Sequence, residues 1–155
     1  MRVVIAAVGR PKDAALAAAI RDYEARATRY WPIEIAEVKG ERGDAGTTAA
    51  NVRAREGDRL EQRLGGVATV VACDASGRSM SSEQFAAWLQ AEREGARDVA
   101  FVIGGAFGLD RRLVDGAHLR LSLAPWTLPH EMARLVLAEQ LYRAGTIVRG
   151  EPYHK

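Results

Sequence analysis

Short β-rich runs alternate with helical segments along this chain, and this alternation constrains its fold more than any other feature. Runs that are almost continuously apolar, such as Val99–Ile103, are typical of strands covered on both faces. Strands that alternate with helices usually form a parallel sheet flanked by helices. We therefore predict one α/β domain over residues 1–155 with a mostly parallel sheet. The five predicted strands are Arg2–Val8, Ile33–Val38, Val67–Asp74, Val99–Ile103 and His118–Leu123.

Capping residues mark where several of the predicted helices begin. Asp13 and Asp110 stand at positions where a side-chain oxygen can accept from the first free backbone N–H groups. Ser81 and Gln84 have the spacing of a capping box. The five predicted helices are Asp13–Arg29, Thr48–Leu64, a helix from Ser81 to about Glu94, a short helix after Asp110, and Pro129–Ala144. The charged, glycine-rich segment Lys39–Thr47 between them is expected to be mobile.

Composition narrows the possible functions only a little. The 22 Lys and Arg residues are nearly balanced by 20 Asp and Glu residues, so the net charge of +2 leaves nucleic-acid binding open. No apolar run approaches the roughly 20 residues of a membrane helix. The single Cys73 cannot form an internal disulfide, which favours a reducing, cytoplasmic location. Three scattered histidines and one cysteine do not have the spacing of a zinc site, so no metal is expected.

Two loops near the end of the chain are candidates for ligand binding. The first is Gly104-Gly105-Ala106-Phe107-Gly108, after a predicted buried strand, and the second is Leu123–Leu128, which is almost devoid of charge. Glycine allows a ligand to approach the backbone closely. The first loop matches neither the dinucleotide fingerprint nor a Walker A motif. From these residues alone, a tight turn and a core-facing crossover remain as alternatives.

The last helix and the tail that follows it carry a different kind of signal. The helix is apolar around most of its circumference, so it is either central in the domain or packed against a second copy. Glu139 and Arg143 are four residues apart and can form a surface ion pair. The tail contains Arg149, Tyr153, His154 and Lys155, which offer an aromatic ring and cations of the kind that bind an unpaired base. A frayed terminus is the alternative.

In this order, the two loops, the Leu-Pro-His segment and the tail resemble the RlmH family of SPOUT methyltransferases. The resemblance covers the whole chain, from Met1 to Lys155. It implies a C-terminal trefoil knot, S-adenosyl-L-methionine as cofactor, and methylation of N3 of a pseudouridine in 23S ribosomal RNA. It also implies a homodimer formed through the last helix, and action on the assembled 70S ribosome in the cytoplasm.

The resemblance also assigns the site residues. Backbone groups of three loops would enclose the cofactor, and His130 would help to shape the pocket. The bulky Pro125-Trp126 pair departs from the smaller or more flexible residues of this family segment. The expected cofactor-binding residues are Cys73, Gly104, Gly105, Leu123, Ala124, Pro125, Trp126, Thr127 and Leu128.

Three residues are the catalytic candidates. Methyl transfer to N3 requires loss of the N3 proton, and a nearby cation favours the resulting anion. Arg143 is expected to stabilise this anion, His154 to position the base or accept the proton, and Tyr153 to stack on or orient the base. In a dimer, the tail of one subunit would complete the pocket of the other.

Three other functions are compatible with parts of the sequence. A SPOUT enzyme could instead methylate transfer RNA, although the absence of an appended RNA-binding domain argues for a large preassembled target. A non-catalytic ribosome-binding factor could retain the fold, but the cofactor loops and the tail are intact here. A generic nucleotide-binding module is disfavoured by the lack of a phosphate-binding motif.

Overall fold

The computed structural model describes residues 1–155, and its strands and helices alternate along the whole chain. The elements, in chain order, are β1 (Val3–Val8), α1 (Ala14–Ala27), β2 (Ile33–Val38), α2 (Ala49–Glu61), β3 (Thr69–Ser79), α3 (Ser82–Glu94), β4 (Val99–Ile103), α4 (Arg111–Gly116), β5 (Leu119–Ser122) and α5 (His130–Val148).

All five strands belong to one parallel sheet with the order β2-β1-β4-β3-β5. Val3 lies opposite both Ile33 and Val99, and Val71 lies opposite both Phe101 and Leu119. The predicted α/β class and parallel sheet are therefore confirmed. Because the strands are parallel, the loops that follow them emerge at one edge of the sheet. The trefoil knot stays a prediction from the resemblance.

The sheet is covered on both faces, because successive residues of a strand point in opposite directions. Ile5 and Ala7 of β1 belong to a core shared with α1, α3 and α5, whereas Ala6 and Val8 belong to a core shared with α2 and α4. Every residue of β1 and β4 is buried. This explains why the central strands are continuously apolar in sequence.

Helix α5 lies between α1 and α3, and this position explains its broad apolar surface. Leu137 and Leu141 are fully buried, and the Leu141 carbonyl accepts a hydrogen bond from Trp31 Nε1 at 2.8 Å. We predicted that this helix is either central in the domain or packed against a second copy. Within one copy of the chain, it is central. None of the helices combines the length and the apolar character needed to cross a membrane.

The ends of two predicted elements were wrong by four residues or more, and the other boundaries differ by three residues or fewer. Strand β3 continues to Ser79 rather than ending at Asp74, because a bulge between Cys73 and Arg78 lets it pair again with β5. Gly77 permits this pairing, since a Cβ there would lie 2.6 Å from the carbonyl carbon of Arg120. Helix α5 continues to Val148 rather than Ala144.

The extension of α5 passes through Gly145, a residue type that often follows a helix end. The ring of Tyr30 occupies the space that a side chain at Gly145 would need, with its Cγ 2.2 Å from an ideal Cβ position. Gly145 therefore allows close contact between α5 and Tyr30, and it does not end the helix. The predicted caps Asp13, Ser81 with Gln84, and Asp110 are confirmed.

Candidate active site

Three loops at the carboxyl edge of the sheet surround a cavity of about 180 Å³. They interrupt β3 after Cys73, follow β4 at Gly104, and connect β5 to α5. Ligands of open parallel sheets usually bind in a crevice of this kind. The predicted residues that line the cavity are Cys73, Gly104, Gly105, Leu123, Ala124, Trp126, Thr127 and Leu128.

Pro125 is the predicted residue that the structure places outside the cavity lining. It is exposed, and its neighbour Trp126 also projects largely into solvent with 78% of its surface accessible. Because Trp126 still borders the cavity, a bulky residue at this position leaves the pocket open.

Several residues of the cavity wall were not among the predicted cofactor-binding residues. Five of these six residues lie within two positions of a predicted residue or at the end of the glycine loop, so including each whole loop and its flanking residues would have found them. Ala133 lies one turn into α5, and the helical period from His130 was the available signal. These residues are Asp74, Ala75, Ile103, Gly108, Leu109 and Ala133.

The loop after β4 needs its glycines because side chains would clash with other parts of the protein at two of these positions and would strain the backbone at the third. Gly108 has a φ of 80°, in the left-handed region, and its N–H donates to the Gly105 carbonyl at 3.0 Å. A Cβ on Gly104 would lie 2.4 Å from the carbonyl carbon of Gly108, and one on Gly105 would lie 2.8 Å from the buried carboxylate of Glu56. The missing side chains therefore let the loop close on itself and on α2, and the cavity faces the loop's backbone.

Local hydrogen bonds shape the other two loops. The Asp74 carboxylate accepts from the N–H of Ser76 at 2.9 Å, which turns the chain after Cys73. The Ser122 hydroxyl donates to the Ala124 carbonyl at 2.6 Å, which turns the chain before Trp126. Burial raises the pKa of the Cys73 thiol to about 12, so this side chain borders the cavity as a neutral group.

His130 begins α5 and contacts the cavity, as expected for a residue that shapes it. No side chain caps this helix, although the Pro129 carbonyl accepts the first intrahelical hydrogen bond from Ala133 at 2.9 Å. The free N–H groups of the first turn therefore lie beside the cavity and can serve as donors to a ligand.

The three predicted catalytic residues lie together in a second cluster. The Arg143 guanidinium donates from Nε to the Glu139 carboxylate at 3.0 Å, and the Tyr153 hydroxyl donates to the same carboxylate at 3.0 Å. The guanidinium carbon also lies 4.8 Å from the centre of the Tyr153 ring. The other neighbour of this ring is Tyr142, at a centroid distance of 4.6 Å. The tail is thus folded against α5 rather than extended.

Hydrogen bonds on both sides determine the tautomer of His154. Its Nδ1 lies 3.3 Å from Arg143 Nη1, and its Nε2 lies 2.8 Å from the Glu83 carboxylate. A guanidinium can only donate, so Nδ1 must accept and Nε2 must carry the proton. Backbone hydrogen bonding at the start of α3, followed by the bond from His154, lowers the pKa of Glu83 to about 2. Sequence offered no signal for the pairing of Glu83 with His154.

Within one chain, the tail cluster of Arg143, Tyr153 and His154 is separated from the cavity. Arg143 lies more than three turns beyond His130 on α5, which places their Cα atoms roughly 20 Å apart. The structure therefore groups the predicted residues into two sets, the three loops around the cavity and the tail cluster. It contains no group of three or more His, Cys, Asp or Glu side chains suited to a metal ion.

Comparison with known sequences places this chain among RNA-modifying proteins. A family model described as a predicted SPOUT methyltransferase matches residues 1–154. The ribosomal RNA large subunit methyltransferase H of Gemmatimonas aurantiaca is 62% identical over 155 residues, covering 100% of both chains. The protein of the same name from Anaeromyxobacter sp. strain Fw109-5 is 47% identical, also over 100% of both chains.

Solved structures support the fold. A probable methylase family protein from Haemophilus influenzae superimposes with a TM-score of 0.56 at 14% identity, covering 99% of this chain and 70% of the other. A probable methyltransferase from Bordetella pertussis has a TM-score of 0.53 at 19% identity, covering 92% of this chain and 95% of the other. At these identities the likeness concerns the fold alone.

Proposed function

This chain belongs to the SPOUT methyltransferase family, and we propose that it methylates N3 of a pseudouridine in 23S ribosomal RNA with S-adenosyl-L-methionine as the donor. The relatives named ribosomal RNA large subunit methyltransferase H, at up to 62% identity over the full length, support the RNA substrate. The observation that carries the proposal is the meeting of all three expected loops around one cavity.

The cavity has the chemistry that this cofactor requires. Apolar side chains such as Leu109, Leu123 and Leu128 can cover the faces of an adenine ring, while the loop backbones can read its edge. The first turn of α5 adds free N–H donors. Bound there, S-adenosyl-L-methionine supplies a methyl group activated by a sulfonium. The cofactor-binding role of the predicted residues rests on this fit.

The tail cluster supplies the groups that act on the base. Arg143 stabilises the anion formed when N3 loses its proton, since a nearby cation favours the deprotonated form. The unprotonated Nδ1 of His154 is the atom that can accept this proton, once the substrate replaces its 3.3 Å contact with Arg143 Nη1. Tyr153 orients the base through its ring and hydroxyl. Placement of reacting groups in a productive geometry can supply about 7–11 kcal/mol of a reaction barrier.

Two copies of the chain are needed to bring the two sets of residues together. The separation of His130 from Arg143 along α5 prevents one chain from placing its own tail in its own cavity in this arrangement. Half-buried apolar residues on α5, including Met132, Leu135 and Val136, provide a surface for a second copy. The homodimer then places the tail of one subunit beside the cavity of its partner. The name of the relatives, ribosomal RNA large subunit methyltransferase H, supports the large ribosomal subunit as the target, and we infer action on the assembled 70S ribosome in the cytoplasm.

The test is transfer of labelled methyl groups to three substrates: 70S ribosomes that lack the modification, free 23S RNA and bulk transfer RNA. Label in 70S ribosomes that maps to N3 of a pseudouridine is the expected result. Label in transfer RNA alone would contradict the proposed ribosomal RNA substrate but would support methyl transfer from the proposed cofactor. Cofactor binding without transfer to any RNA would favour a ribosome-binding factor.

An Arg143→Ala variant tests the catalytic assignment in the same assay. It should abolish transfer while leaving cofactor binding nearly intact, because Arg143 lies outside the cavity lining. Arg111→Ala is the matched control, since Arg111 forms only an exposed i,i+4 pair with Asp115. Unchanged turnover in Arg143→Ala would remove this residue from the mechanism.

A further inference from the structure

Glu139 joins two of the residues assigned to catalysis. Its Oε1 accepts from Arg143 Nε at 3.0 Å and from the Tyr153 hydroxyl at 3.0 Å, and Arg143 Nη2 donates to the same oxygen. Its Oε2 accepts from Gln140 Nε2 at 2.7 Å. Both carboxylate oxygens are engaged, and one of them connects the last helix with the tail.

This arrangement differs from an ordinary surface ion pair with the same spacing. The side chains of Glu139 and Arg143 are 18% and 25% exposed, whereas those of the i,i+4 pair Asp22 and Arg26 are 53% and 43% exposed. Charge-assisted bonds that share one acceptor hold both donors in a defined geometry. The pair that the sequence suggested as a surface contact is the centre of the catalytic cluster.

Without this carboxylate, each donor would lose its charge-assisted hydrogen bond. Arg143 would keep a 3.3 Å contact with His154 and would regain side-chain freedom, and the Tyr153 hydroxyl would keep a 3.5 Å contact with Tyr23. The guanidinium lies over the Tyr153 ring, so movement of one group displaces the other. A misplacement of about 1 Å can cost about 100-fold in rate.

We propose that Glu139 is a positioning residue for methyl transfer, which holds Arg143 and Tyr153 in one arrangement before the target base arrives. The inference rests on the proposed function, because it requires that Arg143 and Tyr153 act on the base. Glu139 acts through these two residues and does not itself touch the substrate.

The experiment compares Glu139→Ala and Glu139→Gln with the parent enzyme in single-turnover methylation of unmodified 70S ribosomes at saturating cofactor. We expect Glu139→Ala to lower the rate by about 100-fold, with the cofactor Kd within about threefold of the parent value. Glu139→Gln retains an oxygen that accepts from both donors, so it should recover much of the rate. Glu94→Ala is the matched control, because Glu94 accepts an i,i+4 hydrogen bond from Gln90 far from the tail.

A double-mutant cycle with Tyr153→Phe separates positioning from a general loss of stability. If Glu139 acts through Tyr153, the effects of Glu139→Ala and Tyr153→Phe on the logarithm of the rate will not add. Additive effects, or a Glu139→Ala rate within about threefold of the parent, would overturn the proposal. If the alanine variant does not fold, the spectroscopic readout on Glu139→Gln keeps the proposal testable.

A spectroscopic readout distinguishes failure of this proposal from failure of the proposed function. Burial, the contact with Tyr23 and the bond to Glu139 raise the pKa of Tyr153 above its ordinary value. Glu139→Gln should therefore lower the pKa of Tyr153 and shift the Nε–H resonance of Arg143, whether or not the parent methylates any RNA. If both signals stay unchanged, Glu139 does not position these residues. If they move but the parent methylates no RNA, only the proposed function has failed.

Discussion

Gly104 packs against Gly108 so closely that a Cβ on Gly104 would lie 2.4 Å from the Gly108 carbonyl carbon. The loop after β4 can close only because this position lacks a side chain. Its closed form presents backbone groups to the cavity, so the packing of two glycines controls the shape of the proposed cofactor site.

We expect Gly104→Ala to weaken cofactor binding by at least about tenfold, since the clashing atom is backbone and cannot move aside without reshaping the loop. Isothermal titration calorimetry measures this change. Gly43→Ala is the control, because a Cβ at Gly43 would meet nothing within 4 Å. Equal cofactor affinity in both variants would show that the loop tolerates a side chain at Gly104.

Replacement of Trp126 tests whether the loop between β5 and α5 binds the cofactor through its backbone. Its side chain is 78% exposed, so Trp126→Ala should change the free energy of unfolding by no more than about 0.5 kcal/mol. The cofactor Kd should stay within about threefold of the parent value, because the peptide groups are retained. A loss of tenfold or more would assign a direct contact to the indole ring.

The raised pKa of Cys73 predicts slow, strongly pH-dependent alkylation. With a pKa of about 12, the reactive thiolate is scarce at neutral pH and increases as the pH rises toward that value. At pH 8 we expect iodoacetamide to react on the order of 10³-fold more slowly than with an ordinary exposed cysteine. A Cys73→Ser, Ala45→Cys double variant provides the exposed control. A rate plateau near pH 9 for Cys73 would contradict the prediction.

Arg134 forms two ion pairs that connect α5 with α1 and β2. It donates to Glu24 at 2.8 Å and to Glu37 at 2.7 Å, and Arg134 and Glu24 are 5% and 8% exposed. Arg134→Met would leave the Glu24 carboxylate buried without its partner, so we expect a loss of about 3–5 kcal/mol in the free energy of unfolding. Urea denaturation measures this loss.

Arg111→Met serves as the stability control, because its pair with Asp115 is exposed and spans 3.7 Å. It should lower the free energy of unfolding by less than about 0.5 kcal/mol. If the two variants lose similar amounts of unfolding free energy, the ion pairs of Arg134 stabilise the protein no more than an exposed surface pair does.

Local sequence patterns predicted most of the fold. The strands Ile33–Val38 and Val99–Ile103 have the predicted bounds, because hydrophobic runs and turn residues are local signals. The errors in β3 and α5 both involve a glycine whose role depends on a distant partner. Gly77 meets the backbone of Arg120, and Gly145 receives the ring of Tyr30. No local pattern contains such information.

Patterns within the chain were enough to predict the parallel α/β architecture, the three loops and the composition of the tail, since each depends on residues that are close together in the chain. How these parts meet is a property of the tertiary structure. It brought Glu83 to His154 and Glu24 to Arg134 across long sequence separations. It also showed that the tail cluster lies apart from the cavity of its own chain. Such contacts depend on the packing of whole helices and strands, which a one-dimensional pattern does not specify.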